Sequence, residues 1–151
     1  MADGMTLQGM YDLQDIALRG ATPPTNLYLA LVASTPDKNT DTLSDLTEIA
    51  AGNGYTSGGY QLNRDTTDWP SLVKGTSDVT ATLKDLLFTA SGGAMPPSGT
   101  GATYAVLTTD GATVADRKVW AYWALGTTRT VVDGQALKIT NARLKLQEPS
   151  S

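Results

Sequence analysis

The acidic stretch from Asp37 to Glu48 comes nearest to a metal-binding motif in this chain. Side chains that carry oxygen stand at positions 1, 3, 5, 9 and 12 of a twelve-residue loop, namely Asp37, Asn39, Asp41, Asp45 and Glu48. This is the spacing of an EF-hand calcium loop. Two features count against calcium: Thr42 stands where the sharp turn needs glycine, and Pro36 stands where the entering helix should end. The alternative is a solvated acidic loop whose Asp and Asn side chains form local turns.

Two other sets of residues have the composition of a site. Asp65, Asp68 and Asp85 are candidates for the paired carboxylates of a glycosidase, although nothing in their spacing brings two of them together. The segments Gly52-Asn53-Gly54 and Gly58-Gly59 are candidates for a phosphate-binding loop. They do not fall between a strand and a helix in a P-loop pattern, which favours ordinary turns.

The composition argues against most catalytic chemistry. The chain of 151 residues has no His and no Cys, which excludes a Ser-His-Asp triad, a thiol nucleophile and a zinc-thiolate site. We therefore expect no enzyme and no cofactor. The net charge is −4 and no basic run alternates with aromatic residues, so we expect no binding to nucleic acid. There is no long apolar run and no secretory signal, so we expect no membrane span and folding in a cytoplasm.

The strand predicted at Lys118–Gly126 is the element around which the chain is organised. Alternation places Val119, Ala121 and Trp123 on one face and Trp120 and Tyr122 on the other, so both faces are apolar. Such a strand must be covered on both sides. A similar apolar run at 27–33 is predicted to pair with it in the core.

The N-terminal region predicts an amphipathic helix over 6–19, with Thr6 as its N-cap and Gly20 as its left-handed end. Its apolar stripe is interrupted by one polar residue, Gln14, and is widened by Leu13 and Ile16; the stripe consists of Leu7, Met10, Tyr11, Ala17 and Leu18. The helix either covers one opening of the sandwich or docks on a partner.

The remaining segments predict one domain. Residues 1–5 are expected to form a flexible arm, 27–146 a β core and 147–151 a free tail. A hairpin is predicted over 128–140 around Asp133-Gly134, followed by a one-sided strand at 142–146. Short strands separated by Gly-rich turns favour an all-β, single-domain β-sandwich or jelly-roll-like fold with one N-terminal helix.

Several segments together resemble small virion structural proteins of tailed bacteriophages. They occur in the order Leu27-Tyr-Leu-Ala-Leu-Val, Leu46-Thr-Glu-Ile, Gly52-Asn-Gly-Tyr, Gly58-Gly-Tyr, Thr67-Asp-Trp and Trp123-Ala-Leu-Gly, followed by Thr-Val-Val-Asp-Gly-Gln. The resemblance implies a capsid decoration (cement) protein that binds the major capsid protein on the outer head surface. It also implies self-association, assembly in the host bacterial cytoplasm and a final location in the virion.

We place the expected partner contacts in four segments. They are Ala2, Asp3, Met5 and Leu7 in the arm, Asp37, Asp41 and Asp45 in the acidic loop, Trp69 with Pro70, and Met95, Pro96 and Pro97. For Trp69 the alternative is that it plugs the edge of the sandwich. A second hypothesis is a tail- or fibre-associated module that recognises host-surface glycan by stacking on Trp69 and Tyr55. A third is a hydrolase that uses carboxylates.

Overall fold

The computed structural model describes residues 3–147, and these residues are mainly antiparallel strands with one helix near the N-terminus. In chain order the elements are β1 (Gly4–Met5), α1 (Leu7–Arg19), β2 (Leu27–Val32), a 3-10 helix (Leu43–Asp45), β3 (Tyr60–Leu62), β4 (Ser71–Lys74), β5 (Asp78–Thr82), β6 (Leu86–Thr89), β7 (Ala102–Thr109), β8 (Val119–Arg129), β9 (Ala136–Ile139) and β10 (Arg143–Gln147). This confirms the predicted all-β, sandwich-like fold with an N-terminal helix. No helix within 3–147 is long and apolar enough to cross a membrane.

The strands of this part of the chain form three antiparallel sheets. The largest has the order β1-β8-β7-β2-β3, a second has the order β10-β5-β4, and β6 pairs with β9. The sequence predicted that the two apolar strands β2 and β8 pair with each other. In the structure they are not hydrogen-bonded to each other. Strand β7 lies between them and pairs with both.

The central strand β8 is buried on both faces, as its sequence predicts, but its faces are not those that simple alternation gives. Leu107 is opposite Ala121, whereas Thr108 is opposite Val119, so Trp120 is an extra residue in a β-bulge. The bulge places Trp120 in the same apolar cluster as Ala121 and Trp123. Val119 lies in the cluster of the opposite face. The predicted face is therefore wrong for these two residues.

Two apolar clusters cover the large sheet. The main cluster joins one face of β2, β7 and β8 to the β6–β9 pair, with Leu29, Leu31, Leu107, Phe88 and Leu137 among its buried members. The second cluster lies on the other face, where the chain between β2 and β3 covers the sheet with Leu43 and Leu46. The sheet thus has no open face at its centre, because each side is covered within the chain.

Helix α1 has the predicted bounds and caps. The Thr6 side chain accepts a hydrogen bond from the Gly9 N–H at 2.9 Å, and Gly20 ends the helix with φ 78°. The fully buried helical residues are Gly9 and Asp12, and Leu13 and Ile16 pack partly against the main cluster. The helix thus packs on the sheet through Leu13 and Ile16, whereas the stripe from Leu7 to Leu18 points away from the core.

Three other predicted segments differ from the structure. Residues 4–5 are a paired strand on β8 and not part of a flexible arm. The Asp133-Gly134 turn is present, but Ala136–Ile139 pairs with β6 and not with 128–132, so the hairpin is wrong. Gln147, predicted in the free tail, is the last residue of β10 and pairs with Asp78. Residues 1, 2 and 148–151 lie outside the described part of the chain.

Candidate functional site

The acidic loop does not form a cation cage. Asp37 accepts a hydrogen bond from the Asn39 N–H at 2.7 Å, and Asp45 accepts from the backbone N–H of Asp41 at 3.1 Å. The Glu48 side chain is directed instead to the loop that contains Tyr55, Ser57 and Gly58. Within residues 3–147, no group of three or more acidic, His or Cys side chains is placed to hold a metal ion. The five residues of the calcium spacing are therefore not brought together in this structure, and Asp37 and Asp45 make local turns.

Glu48 organises the turn that precedes β3. Its carboxylate accepts hydrogen bonds from the Tyr55 hydroxyl at 2.7 Å, the Ser57 hydroxyl at 3.0 Å and the Gly58 N–H. The Tyr55 hydroxyl in turn accepts from the Leu31 N–H of β2 at 3.0 Å. Burial, together with the nearby Glu48 charge, raises the pKa of Tyr55, so its hydroxyl keeps the proton that it donates. This network is a structural clamp between the loop and the sheet.

The three carboxylates weighed as a glycosidase pair each have a different partner. Asp68 is buried, forms an ion pair with Lys84 and accepts from the Asn63 N–H. Burial opposes its ionisation, but these contacts outweigh it and lower the pKa of Asp68. Asp65 accepts from a backbone N–H of its own turn, and Asp85 pairs with Lys138 at 3.2 Å. These contacts are structural for all three.

The glycines of the two candidate phosphate loops are required by close backbone packing. A Cβ at Gly54 would lie 2.0 Å from the Thr89 carbonyl oxygen, and one at Gly59 would lie 1.9 Å from that of Leu29. Both residues also have positive φ. These positions accept only glycine because strands β6 and β2 pass directly beside them.

A cleft of about 310 Å³ between α1 and the 109–118 segment is lined by four aspartates. Asp12 accepts from the Trp120 indole N–H at 2.9 Å and from Lys118. Asp110 accepts from two backbone N–H groups at the start of β2, Asp116 from a neighbouring hydroxyl, and Asp15 pairs with Arg19. Asp12 and Asp110 thus link distant segments, whereas Asp15 and Asp116 make contacts within their own helix and turn.

The arm and loop residues expected at a partner interface differ in their exposure. Ala2 lies outside the described residues. Asp3 is exposed and accepts from the Ala124 N–H at 2.7 Å, whereas Met5 is buried and faces the core, so its placement at an interface is wrong. Leu7 is exposed at the start of α1. In the acidic loop, Asp37, Asp41 and Asp45 are all exposed.

The remaining residues expected at a partner interface are also partly buried and partly exposed. Met95 and Pro96 are buried and therefore cannot touch a partner, whereas Pro97 is exposed. Trp69 is half-buried and packs against the main cluster, which is the plug alternative, and Pro70 beside it is exposed.

The glycan hypothesis loses one of its two stacking residues, because Tyr55 is buried. A groove of about 620 Å³ along β8 and β9 has Trp123 in its lining, but this ring is also buried. The rings of Tyr55 and Trp123 therefore present no face for a sugar to stack on.

The sheet β10-β5-β4 carries an exposed apolar surface that the sequence patterns did not predict. Leu72 is 74% exposed, and Val73, Val79 and Leu146 are also exposed. The strand registers place Leu72, Val79 and Leu146 on one face of this sheet, which we call the sheet patch, whereas Val73 lies on the opposite face. Strand β4 is an edge of its sheet, so main-chain groups on its outer side have no strand partner. The available signal was the apolar pair Leu72-Val73 next to Pro70 in a short strand.

The second uncovered surface is the outward face of α1, which we call the helix stripe. It consists of Leu7, Met10, Tyr11, Gln14, Ala17 and Leu18, all of which are exposed. Leu18 is the most exposed of them at 78%. The helix stripe and the sheet patch together contain seven of the eleven large apolar side chains that are exposed within 3–147, so exposed apolar surface is concentrated and not scattered.

Comparison with known proteins adds no relative. No protein-family model matches the chain, and no curated protein and no solved structure is significantly similar to it. The resemblance to phage virion proteins therefore stays a prediction, and the role of the chain is inferred from its own surfaces.

Proposed function

We propose that this chain is a non-enzymatic structural protein of a tailed-bacteriophage virion, a capsid decoration (cement) protein. In this role it binds the major capsid protein on the outer head surface and stabilises contacts between capsomers. The observation that carries the proposal is the concentration of exposed apolar side chains in the helix stripe and the sheet patch. Uncovered apolar surface of this kind is typical of proteins that bind other proteins.

The engagement of the reactive side chains supports a binding role over a catalytic one. In the acidic loop and the aspartate-lined cleft, carboxylates hold turns and strands through short hydrogen bonds. The chain also has no His or Cys. The helix stripe and the sheet patch leave apolar side chains uncovered, and apolar contact contributes binding energy without directing any chemistry.

The sheet patch is the surface that we assign to the capsid. It follows Pro70, which is exposed and was expected at the interface, and it combines apolar side chains with the open edge of β4. An extended segment of a partner can add to such an edge through main-chain hydrogen bonds, and the side chains then give specificity. A patch of three residues is small, and many copies on one shell compensate for weak single contacts.

The proposal is tested by co-sedimentation with capsid shells assembled without this protein. We expect saturable binding of the wild-type protein, and a loss of at least tenfold in affinity for Leu72→Asp. The matched control is Leu87→Asp, because Leu87 is also an exposed strand leucine but lies outside both surfaces, at 57% exposure. The control should bind as the wild type does. Wild-type protein that stays in the supernatant at all concentrations would contradict the proposal.

A further inference from the structure

We propose that the helix stripe pairs with the same stripe on a second copy of this chain, with the two helices antiparallel across a two-fold axis. The stripe advances in steps of three and four residues from Leu7 to Leu18, which is the spacing of a helix–helix seam. Its opposite side, at Gly9 and Asp12, is already packed on the sheet. The face is therefore presented by a helix that is fixed from behind.

When two copies of the stripe are placed antiparallel, apolar residues lie opposite apolar residues and polar residues lie opposite polar ones. In one antiparallel register Leu7 lies opposite the second copy's Leu18, and Tyr11 lies opposite the second copy's Gln14. The two-fold axis repeats both pairs, which gives four layers with leucine pairs at the ends and polar pairs in the middle. Met10 and Ala17 flank these layers, so a long side chain lies near a short one.

The polar pair explains why a second copy fits better than an apolar groove on an unrelated protein. The Tyr11 hydroxyl and the Gln14 amide can each donate and accept a hydrogen bond, so they satisfy each other across the interface. In an apolar groove the same groups would be buried without partners, which weakens binding. Polar layers inside an apolar seam also fix the register of the two helices.

Charge is compatible with the antiparallel arrangement. The stripe has no charged residue, and the nearby Arg19 is paired with Asp15 of its own helix at 3.6 Å. In this register the two Arg19 residues lie at opposite ends, about 20 Å apart along the helix axis for a rise of 1.5 Å per residue. Antiparallel helix dipoles attract each other, whereas a parallel pair would bring like ends together.

The size of the surface sets the expected strength of the dimer. A helix of 13 residues is about 20 Å long and covers less than the roughly 800 Å² per partner of a standard interface. We therefore expect a concentration-dependent dimer that is weak in free solution. Neighbouring copies held on one surface would pair more completely, because their effective concentration is higher.

Disulfide trapping tests the register directly, because the natural chain has no cysteine. In the double variant Leu7→Cys/Leu18→Cys, oxidation should give a covalent dimer. A bond within one helix is excluded, because the two positions are about 16 Å apart along the axis and a disulfide needs Cα atoms within about 7 Å. Each single variant, and the double variant Leu87→Cys/Val132→Cys at exposed positions outside the stripe, should stay at the background of random collision.

Sedimentation velocity over a concentration series tests the same contact without a cross-link. The wild-type protein and the control Leu87→Lys should show a sedimentation coefficient that rises with concentration. Leu18→Lys should need at least tenfold more protein to reach the same degree of association. Single-cysteine variants that cross-link as well as the double variant would overturn the antiparallel register. A wild-type monomer at every concentration, with no trapped dimer, would overturn the proposal, and it would do so whether or not the protein binds capsid shells.

Discussion

Replacing Gly9 by alanine tests how closely α1 packs on the central strand. A Cβ at this position would lie 2.5 Å from the Trp120 carbonyl oxygen and 2.8 Å from the Trp120 Cα. Both distances are below any normal carbon contact, so either the helix or the strand must move. The strand is held in place, because β8 is paired with β1 on one side and with β7 on the other. We therefore expect the helix to move.

The loss of unfolding free energy expected for Gly9→Ala is the balance of three effects. Alanine is better than glycine in a helix by about 1 kcal/mol. Overpacking costs about 1–3 kcal/mol. A displaced helix also weakens the bond from the Trp120 indole N–H to Asp12, now 2.9 Å, and a hydrogen bond to a charged group contributes about 1.5–3 kcal/mol. The expected net loss of unfolding free energy is about 2–4 kcal/mol, which lowers the Tm by about 5–15 °C in a chain of this length.

Urea unfolding followed by tryptophan fluorescence measures this loss. Ala17→Gly is the matched control, because Ala17 is exposed in the same helix and loses only about 1 kcal/mol of helix propensity. Both variants are compared at low protein concentration. A Gly9→Ala protein that is more stable than the wild type would refute the close packing of α1 on β8, since propensity alone would then decide.

Three further predictions concern the polar groups and turns of the core. Asp68→Asn should be less stable than the wild type at neutral pH. The folded-state pKa of Asp68 is lowered, so its stabilising contribution is present above the usual carboxyl pKa of about 4 and is lost as the pH falls. Urea midpoints measured from pH 7 to pH 3 should therefore converge, and a constant gap would contradict the pair with Lys84. Tyr55→Phe should lose about 1–3 kcal/mol in urea unfolding, because a buried backbone N–H loses its acceptor; an unchanged midpoint would show that the hydroxyl is not part of the Glu48 clamp. Gly59→Ala should not accumulate as soluble protein, because its Cβ would lie 1.9 Å from a strand carbonyl oxygen; normal yield and melting would contradict the close approach.

Local signals in the sequence predicted the helix well but could not give its orientation. Thr6 and Gly20 act on their own helix ends, so the caps follow from the chain itself. The face that is buried depends on contacts with a distant strand. Gly9 permits close approach, and Asp12 is buried because the Trp120 indole N–H and Lys118 satisfy it. A glycine inside a helical pattern was the available sign of close packing.

Long-range pairing explains the other differences. Ala136–Ile139 follows a good turn, yet it pairs with β6, some fifty residues earlier in the chain. The bulge at Trp120 shifts the alternation of β8 by one residue, and no local pattern marks it. The acidic loop was assigned by spacing alone, whereas Glu48 accepts from the Tyr55 hydroxyl, which is fixed in turn by the Leu31 N–H of β2. Sequence spacing predicts a site only when the backbone holds its members together.

Electron cryomicroscopy of shells incubated with this protein tests the proposed function most directly. We expect regular additional density on the outer surface at capsomer junctions, oriented with Leu72 of the sheet patch toward the shell. The same density should be absent from shells incubated with Leu72→Asp. Bare shells in the presence of saturating wild-type protein, or density on the tail alone, would contradict the decoration role.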